Sequence, residues 1–510
     1  MSEVTRSARQ APTRIARASA LFVVANLLPR LGLFLLLPVY VRFMSQAEFG
    51  ALMLLIPVAG LLAILFRLGL DAALMRFHFD ADGVGRSHLY ASVAATTLVS
   101  GVVGVALVAT VLAPMFNIIF VGIDFWPLGA LMVASALTLT FQYIPTVFLR
   151  ATEQPVAYLA FTLSVVVATA LASLVLILGF RAGTSGGLVG QLAGGIVTVL
   201  AAAYVLLRLG SPRVDMRLVA RSLRFGIPLV PHGLSQWMMN VSDRWLIGLV
   251  IGLPTIAARA EIGIYSLGYQ IGYVVTLVAV SVQAAWTPVL YRLGELAMGP
   301  RLHRHMVTVA ALLFLSLAVL LSATSHEIVA IIAPVSYARA ADVISVVALG
   351  STLYGFYVML VGVIMLGRST GSLPLITLAA AAVNVGFNLL LIPRLGIMGA
   401  AWSTVIGYGC YAGATYWLAR HRFPLDLDWP RLSLLLLGAL LAVAATLAVP
   451  HPSPTGMLAG LAIAMAYAAG GALLCRQPWR SLVGLLHEGA DLALAAGSSS
   501  AIKRDMLGRG

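Results

Sequence analysis

Three arginines and two aspartates stand where charge is costly: Arg30, Arg67, Arg244, Asp71 and Asp243 all fall within long apolar runs. A guanidinium stays charged at every physiological pH and offers a planar fork of donors that matches a phosphate oxygen pair. Arginine held away from bulk water is therefore a natural partner for a phosphate or pyrophosphate. Arg30 lies about ten residues into its run, too deep to reach either surface easily, given a rise of about 1.5 Å per residue. Pro29 beside it predicts a bend and a freed carbonyl. Arg67 and Asp71 are four apart, so on a continuous helix they share a face and form either an ion pair at the rim or the mouth of a passage. Asp243 and Arg244 are adjacent and should project in different directions, one toward a cavity and one elsewhere, without needing to pair. Asp71 and Asp243 are the candidate coupling or ion-pairing acids. Gln142, Asn240, Gln270, Gln283, Asn384 and Asn388 are candidate lumen residues able to meet hydroxyl groups; bonding between helices is their plainer role. The aromatic rings of Trp237, Tyr269, Tyr273 and Trp286 are available to stack on sugar rings, or serve as packing and anchors.

What positions these residues is a chain of 510 residues, 61% hydrophobic and 10% charged, with a mean hydropathy of +0.99. A soluble domain is about 25% charged, so lipid is the expected solvent. A bilayer core of about 30 Å takes about 20 apolar residues as helix. Runs of that length recur fourteen times between residues 20 and 475. Charge tests the count. With the N-terminus inside, twenty-four basic residues fall in inner segments and five (Arg42, Arg181, Arg259, Arg339 and Arg394) in outer ones. The positive-inside rule then puts both termini in the cytoplasm. The net charge of +14 reads as topology and attraction to anionic headgroups, not as a nucleic-acid surface. All loops are short, the longest inner one lying around Arg208 to Arg224.

An internal repeat sets the architecture. Ala47-Glu48-Phe49-Gly50-Ala51-Leu52-Met53-Leu54 opens the second span, and Ala260-Glu261-Ile262-Gly263-Ile264-Tyr265-Ser266-Leu267 opens the eighth. Leu149-Arg150-Ala151-Thr152 after the fourth span parallels Gly367-Arg368-Ser369-Thr370 after the tenth. Six spans separate each pair, an even number, so the copies run in the same direction about an axis along the membrane normal. The expected fold is an all-α polytopic membrane protein of about 14 transmembrane helices. It divides into a cytoplasmic tail at 1–19, a six-helix N-lobe at 20–210, a pseudo-symmetric six-helix C-lobe at 211–420, two further helices at 421–475 and a cytoplasmic tail at 476–510.

Several chemistries find no support. The sequence has no Walker loop, zinc motif or nucleophile elbow. Cys410 and Cys475 both sit in apolar stretches, which argues against a disulfide or a metal site. Asp80-Ala81-Asp82 has the look of a nucleotide–metal acid pair but stands in a short loop with no nucleotide-binding domain around it. No enzymatic activity, cofactor or metal is expected.

Five stretches resemble the polysaccharide transporter branch of the multidrug/oligosaccharidyl-lipid/polysaccharide flippase superfamily. They are Pro38-Val39-Tyr40-Val41-Arg42-Phe43-Met44-Ser45 leading to Glu48-Phe49-Gly50; Phe225-Gly226-Ile227-Pro228-Leu229-Val230-Pro231; Asp243-Arg244; Gly263-Ile264-Tyr265-Ser266; and the longest, Asn388 to Thr404. The resemblance implies a flippase in a bacterial inner membrane that moves a lipid-linked oligosaccharide, usually on undecaprenyl pyrophosphate, for surface polysaccharides such as exopolysaccharide. It implies a cation-lined cavity for the pyrophosphate, with Arg30 and Arg244 as candidates beside Arg67. It also implies drive from membrane potential or an H+ or Na+ gradient, and polymerase or export proteins as partners. The rival within the superfamily is a cation-coupled drug antiporter, in which lumenal acids should outnumber arginines.

Overall fold

In hydrocarbon a chain must satisfy its own backbone hydrogen bonds, and helices do so within one segment. The computed structural model describes residues 32, 34–210, 213–293, 299–366, 372–422, 425–446, 448–486 and 488, and among them there is no strand. The first part of the chain forms α1 (Phe34–Phe43), α2 (Gln46–Arg67), α3 (Leu70–His78), α4 (Gly83–Leu107), α5 (Phe116–Ile119), α6 (Ala130–Thr140), α7 (Tyr143–Ala151), α8 (Pro155–Leu174) and α9 (Gly183–Arg208). There follow α10 (Met216–Gly226), α11 (Val230–Val250), α12 (Thr255–Gly272), α13 (Val274–Leu293), α14 (Gly299–Ala323), α15 (Ser325–Ile332), α16 (Ala340–Leu366), α17 (Leu373–Leu395), α18 (Ile397–Arg422), α19 (Trp429–Thr446) and α20 (Pro454–Leu474).

Eleven helical segments among the described residues are long and apolar enough to cross a membrane. The short apolar α1 and the long but more polar α11 and α18 bring the number to about fourteen, as the hydropathy pattern predicts. The chain is a multi-pass membrane protein. α11 is less apolar because it carries His232, Gln236, Asp243 and Arg244 in one helix.

The chain forms two compact units. One runs through Leu267 and takes in Ile332–Ala340 and Asn384–Ser403; the other holds Gly268–Ile331, Ala341–Val383 and the chain from Thr404.

In the first unit α2 is the central element, and its ends are built by local chemistry. Ser45 and Glu48 form a capping box: the Glu48 amide donates to Ser45 Oγ at 3.2 Å and the Ser45 amide to Glu48 Oε2 at 2.8 Å. At the other end Leu68 and Gly69 adopt left-handed φ angles of 53° and 70°, which stop the helix. A Cβ on Gly69 would fall 2.2 Å from the Gly226 carbonyl oxygen, so only glycine fits. Below this break α3, α4, α7 and α9 share a core of Leu70, Leu74, Leu89, Tyr90, Val93, Tyr143 and Ile144. After α9 comes the amphipathic α10, whose Arg221 guanidinium sits 4.1 Å from the Phe77 ring centre and 3.1 Å from Asp80.

In the second unit the chain beyond α20 continues as helix at 476–486. Its Leu482 is buried against Trp286, Leu290, Leu302 and Val363. At the start of α19, Asp428 binds both Arg431 and Arg304, and Arg431 reaches Gln477 at 2.6 Å. Burial alone would raise the Asp428 pKa, but the Arg431 hydrogen bonds and the Arg431 and Arg304 charges outweigh it and hold the carboxyl below its usual range.

Candidate functional site

The first unit contains a cavity of about 350 Å³ that gathers Arg67, Asp71, Gln142, Tyr143, Arg150 and Tyr158. Arg67 comes from the last turn of α2 and Arg150 from the last turn of α7, the helix end at which a cation is favoured. Arg67 and Asp71 lie 3.6 Å apart. They do so across the Leu68–Gly69 break and not along one continuous helix, as their spacing suggests; the left-handed residues turn the chain but preserve the pairing. The Arg67 guanidinium lies 5.5 Å from the Tyr143 ring centre, and its Nε is buried with no hydrogen-bond partner among the described residues. Arg150 donates to the Tyr158 hydroxyl at 3.0 Å. Among the described residues the cavity is lined by two guanidinium groups and one carboxylate.

Asp243 and Arg244 lie elsewhere in the unit. Although adjacent, they pair with each other. Arg244 Nη1 is 3.4 Å from Asp243 Oδ1, and the Arg244 amide donates to the same oxygen at 2.9 Å. The Tyr265 hydroxyl donates to Asp243 Oδ2. Folding the arginine back along the helix is what allows neighbours in sequence to meet. Both charged residues are buried, 3% and 6% exposed, so the pair is shielded from water. The Arg67 cavity does not include Arg244.

The other predicted residues separate by role. Arg30 lies outside the described residues, as does the side chain of Asn240 on α11. Gln142 lines the Arg67 cavity. Asn384 donates to the Ser403 carbonyl at 3.1 Å and Asn388 to the Asn384 carbonyl at 3.0 Å, which ties α17 to α18. Gln270, near the end of α12, and Gln283, in the middle of α13, are half-buried. Trp237 donates from its indole to the Pro57 carbonyl of α2 at 2.8 Å. In the second unit Tyr269 stacks on Tyr273, with ring centres 5.7 Å apart, and Trp286 is buried in the core. Asp80 and Asp82 have structural work: Asp80 pairs with Arg76 at 2.8 Å, and Asp82 caps α4 through the Gly85 amide at 3.1 Å. Arg150 and Tyr158 are cavity residues that the sequence does not single out as such, since Arg150 reads there only as an inner charge and a repeat position.

The two repeated segments meet directly. A Cβ on Gly50 of α2 would stand 1.8 Å from the Arg259 carbonyl oxygen, and one on Gly263 of α12 would stand 2.4 Å from the Gln46 carbonyl oxygen. Two loops brace the same end. Gln46 Nε2 donates to the Ser336 carbonyl at 2.7 Å, Arg339 pairs with Glu261 at 2.5 Å, and the Trp245 indole donates to the Ile119 carbonyl at 2.9 Å.

A family model described as "Polysaccharide biosynthesis protein" matches residues 15–293, more than half of the chain. The chain belongs to the polysaccharide biosynthesis protein family. The fold of this family member is similar to a solved structure titled "Lipid II flippase MurJ, inward closed conformation", with a TM-score of 0.74 at 14% identity over 90% of this chain and 99% of that one. It is also similar to an inward-facing multidrug resistance MATE family transporter of the MOP superfamily, with a TM-score of 0.59 at 18% identity over 79% and 94%. A MATE structure in the straight conformation gives 0.54 at 17% identity over 80% and 95%. None of the curated proteins matches in sequence. This polysaccharide biosynthesis protein thus shares the fold of these solved structures.

Proposed function

We propose that the chain is a flippase that carries a lipid-linked oligosaccharide, on undecaprenyl pyrophosphate, from the inner to the outer leaflet of a bacterial cytoplasmic membrane by alternating access. The observation that carries this reading is the reciprocal crossing of Gly50 and Gly263. Two copies of one repeat close on each other through bare backbone at one end of the bundle. Residues 20–210 and 211–420 would then act as the lobes, with 421–475 as an appended pair and both termini in the cytoplasm. Family membership supports a saccharide cargo, and the excess of arginine over acid in the spans supports an anionic one.

In this mechanism the headgroup enters from the cytoplasmic side while the lipid tail stays in the bilayer. Arg30, Arg67 and Arg244 are the proposed partners of the pyrophosphate and replace its lost hydration. Asp243, with Tyr265, is the proposed coupling group, serving an H+ or Na+ gradient. An inside-negative potential assists the exit of an anion by about 2.3 kcal/mol per charge per 100 mV. Polymerase and export proteins are the proposed partners downstream, and the chain itself performs no catalysis.

The test is deletion of the gene followed by fractionation of lipid-linked oligosaccharide. Accumulation on the cytoplasmic face is expected; an unchanged distribution would overturn the proposal. One observation favours the drug antiporter as a second reading: Asp243 is a deeply buried carboxylate held by a tyrosine hydroxyl, a suitable site for a coupling cation. Efflux of cationic dyes by the reconstituted protein would favour that reading.

A further inference from the structure

We propose that two connections of the first unit, residues 116–124 and Ile332–Ala340, are a matched pair of straps that lock the outer end of the bundle, each fastened to the opposite copy of the repeat. The proposal rests on the alternating-access reading, and it takes the outer end from the orientation given above.

The argument begins with what each connection touches. They are the third and the ninth connections between apolar runs, six spans apart, and so are counterparts under the repeat. Both belong to the first unit, with α1, α2, α11 and α12 as far as Leu267. The strap at 116–124 comes from the first copy and is fastened to the second. Its Ile119 carbonyl accepts the Trp245 indole of α11 at 2.9 Å. A Cβ on Gly248 of α11 would meet Val121 Cγ2 at 2.3 Å, and one on Gly122 would meet Thr255 Cβ of α12 at 3.0 Å. The strap at Ile332–Ala340 comes from the second copy and is fastened to the first. Its Ile332 carbonyl accepts from Arg42 Nε of α1 at 3.1 Å, and its Ser336 carbonyl from Gln46 Nε2 of α2 at 2.7 Å. Its Tyr337 ring meets Phe49 edge-on, with centres 6.3 Å apart.

The correspondence extends to single residues. Ile332 stands 213 residues after Ile119, the offset that separates Glu261 from Glu48. The same position in each strap therefore gives its carbonyl to the opposite copy. Loops that merely rest on the nearest surface have no reason to do this; an exchange of straps between two copies of one unit does. The second strap also holds its own copy, because Arg339 pairs with Glu261 at 2.5 Å. It thus runs across the Gly50–Gly263 crossing, bound to Gln46 on one side and Glu261 on the other.

A lock must hold and must also release. Each strap is folded on itself. In the first, the Asn117 side chain donates to Asp124 at 2.8 Å and the Gly122 amide to the Asn117 carbonyl at 2.7 Å. In the second, the Tyr337 and Ala338 amides donate to the Pro334 and Val335 carbonyls at 2.9 and 3.0 Å. Such a strap lifts as a body and keeps its own backbone bonds. What it gives up is a few side-chain bonds to backbone, each a modest contribution. The closed end also buries the Tyr337 hydroxyl and Glu261 Oε2 with no hydrogen-bond partner among the described residues. Both regain water when the strap lifts, which lowers the cost of opening.

The experiment measures amide hydrogen–deuterium exchange on the purified full-length chain in mild detergent. Trp245→Phe keeps an aromatic ring and removes the donor to the first strap; Gln46→Ala removes a donor to the second. Each should speed exchange about fivefold in the strap it releases, the weight of one hydrogen bond in a local opening equilibrium. The deciding observation is the other strap. Parts of one lock open together, so Trp245→Phe should also speed exchange at 332–340, and Gln46→Ala at 116–124. Acceleration confined to the released strap in both variants would overturn the proposal, as would no acceleration in either. If Trp245→Phe fails to fold, Gln46→Ala and Arg339→Gln carry the test. A second measurement joins the lock to transport. Gln46→Cys with Ser336→Cys, in a chain carrying Cys410→Ala and Cys475→Ala, is bridged in proteoliposomes by a short reducible bis-thiosulfonate. Bridging should stop movement of an undecaprenyl-pyrophosphate-linked saccharide, and reduction should restore it; undiminished movement by fully bridged protein would overturn the lock. Coupled exchange in a protein that moves no such saccharide would keep the straps and lose the flippase reading, and transport with uncoupled exchange would do the reverse.

Discussion

Gly50 and Gly263 each occupy the place where the other helix's backbone passes. The atom that excludes a side chain at Gly50 is the carbonyl oxygen of Arg259, four residues before Gly263, and at Gly263 it is that of Gln46, four residues before Gly50. The contact is its own mirror under the repeat. Gly50→Ala or Gly263→Ala would set a methyl at 1.8 or 2.4 Å from a backbone oxygen that cannot swing away. Each variant should lose about 1–3 kcal/mol of stability, the ordinary cost of overpacking, and should lose transport through failure to close this end. Gly60→Ala, where nothing lies within 4 Å, is the control and should be neutral. Thermal melts and reconstituted transport measure both; wild-type behaviour of Gly50→Ala would remove the crossing from the mechanism.

The Asp243–Arg244–Tyr265 cluster predicts a graded series. Tyr265→Phe removes a hydroxyl donated to a buried carboxylate and should cost about 1.5–3 kcal/mol. Asp243→Ala removes an ionic partner of a buried guanidinium and should cost up to about 3–5 kcal/mol. The double variant with Arg244→Met should recover much of that loss, because an apolar pair needs no compensation. A double variant no more stable than Asp243→Ala would show that Arg244 is held chiefly by other groups.

The span count was legible because hydropathy and arginine placement are independent signals that converge, and the repeat was legible because its glycines are required by backbone contact. Arg67 with Asp71 was also legible, since four-residue spacing survives even a broken helix. The second half of the cavity was not. Arg150 is 83 residues from Arg67, and only the packing of α7 against α3, the helix that follows α2, brings the two together. Asp243 was legible as an ion-pairing acid, but its direct contact with Arg244 was not, because adjacent residues on a helix project in different directions and only a long side chain folded back along the helix brings them together. Asn384 and Asn388 read as polar residues in a span, and sequence alone does not separate a lumen lining from the bonds that tie α17 to α18.

Arg30 remains the most demanding charge in the sequence, since its span offers no neighbouring acid within a helical turn. Arg30→Ala should insert and accumulate normally while abolishing transport, and Arg30→Lys should restore only part of it, because an ammonium lacks the bidentate fork. Lipid-linked oligosaccharide distribution in a deletion strain carrying each variant gives the answer. Full complementation by Arg30→Ala would remove the residue from the site.

Asp428 has its pKa held below the usual carboxylate range, despite opposing burial, by Arg431 and Arg304. A carboxylate with a lower pKa in the folded state binds fewer protons there than when unfolded. Its stabilising contribution is therefore complete above the ordinary aspartate value of about 3.9 and is lost as pH falls through the lowered value. Asp428→Asn abolishes that linkage. The melting difference between wild type and Asp428→Asn should be largest near neutrality and should shrink on acidification from about pH 5 downward, with no change between pH 6 and 8. The same variant removes the carboxylate shared by Arg431 and Arg304, leaving them Gln477 and Asp426, so limited proteolysis near residue 425 should accelerate at neutral pH. A melting difference that stays constant down to pH 3 would show that the Asp428 charge does not hold α19 in place.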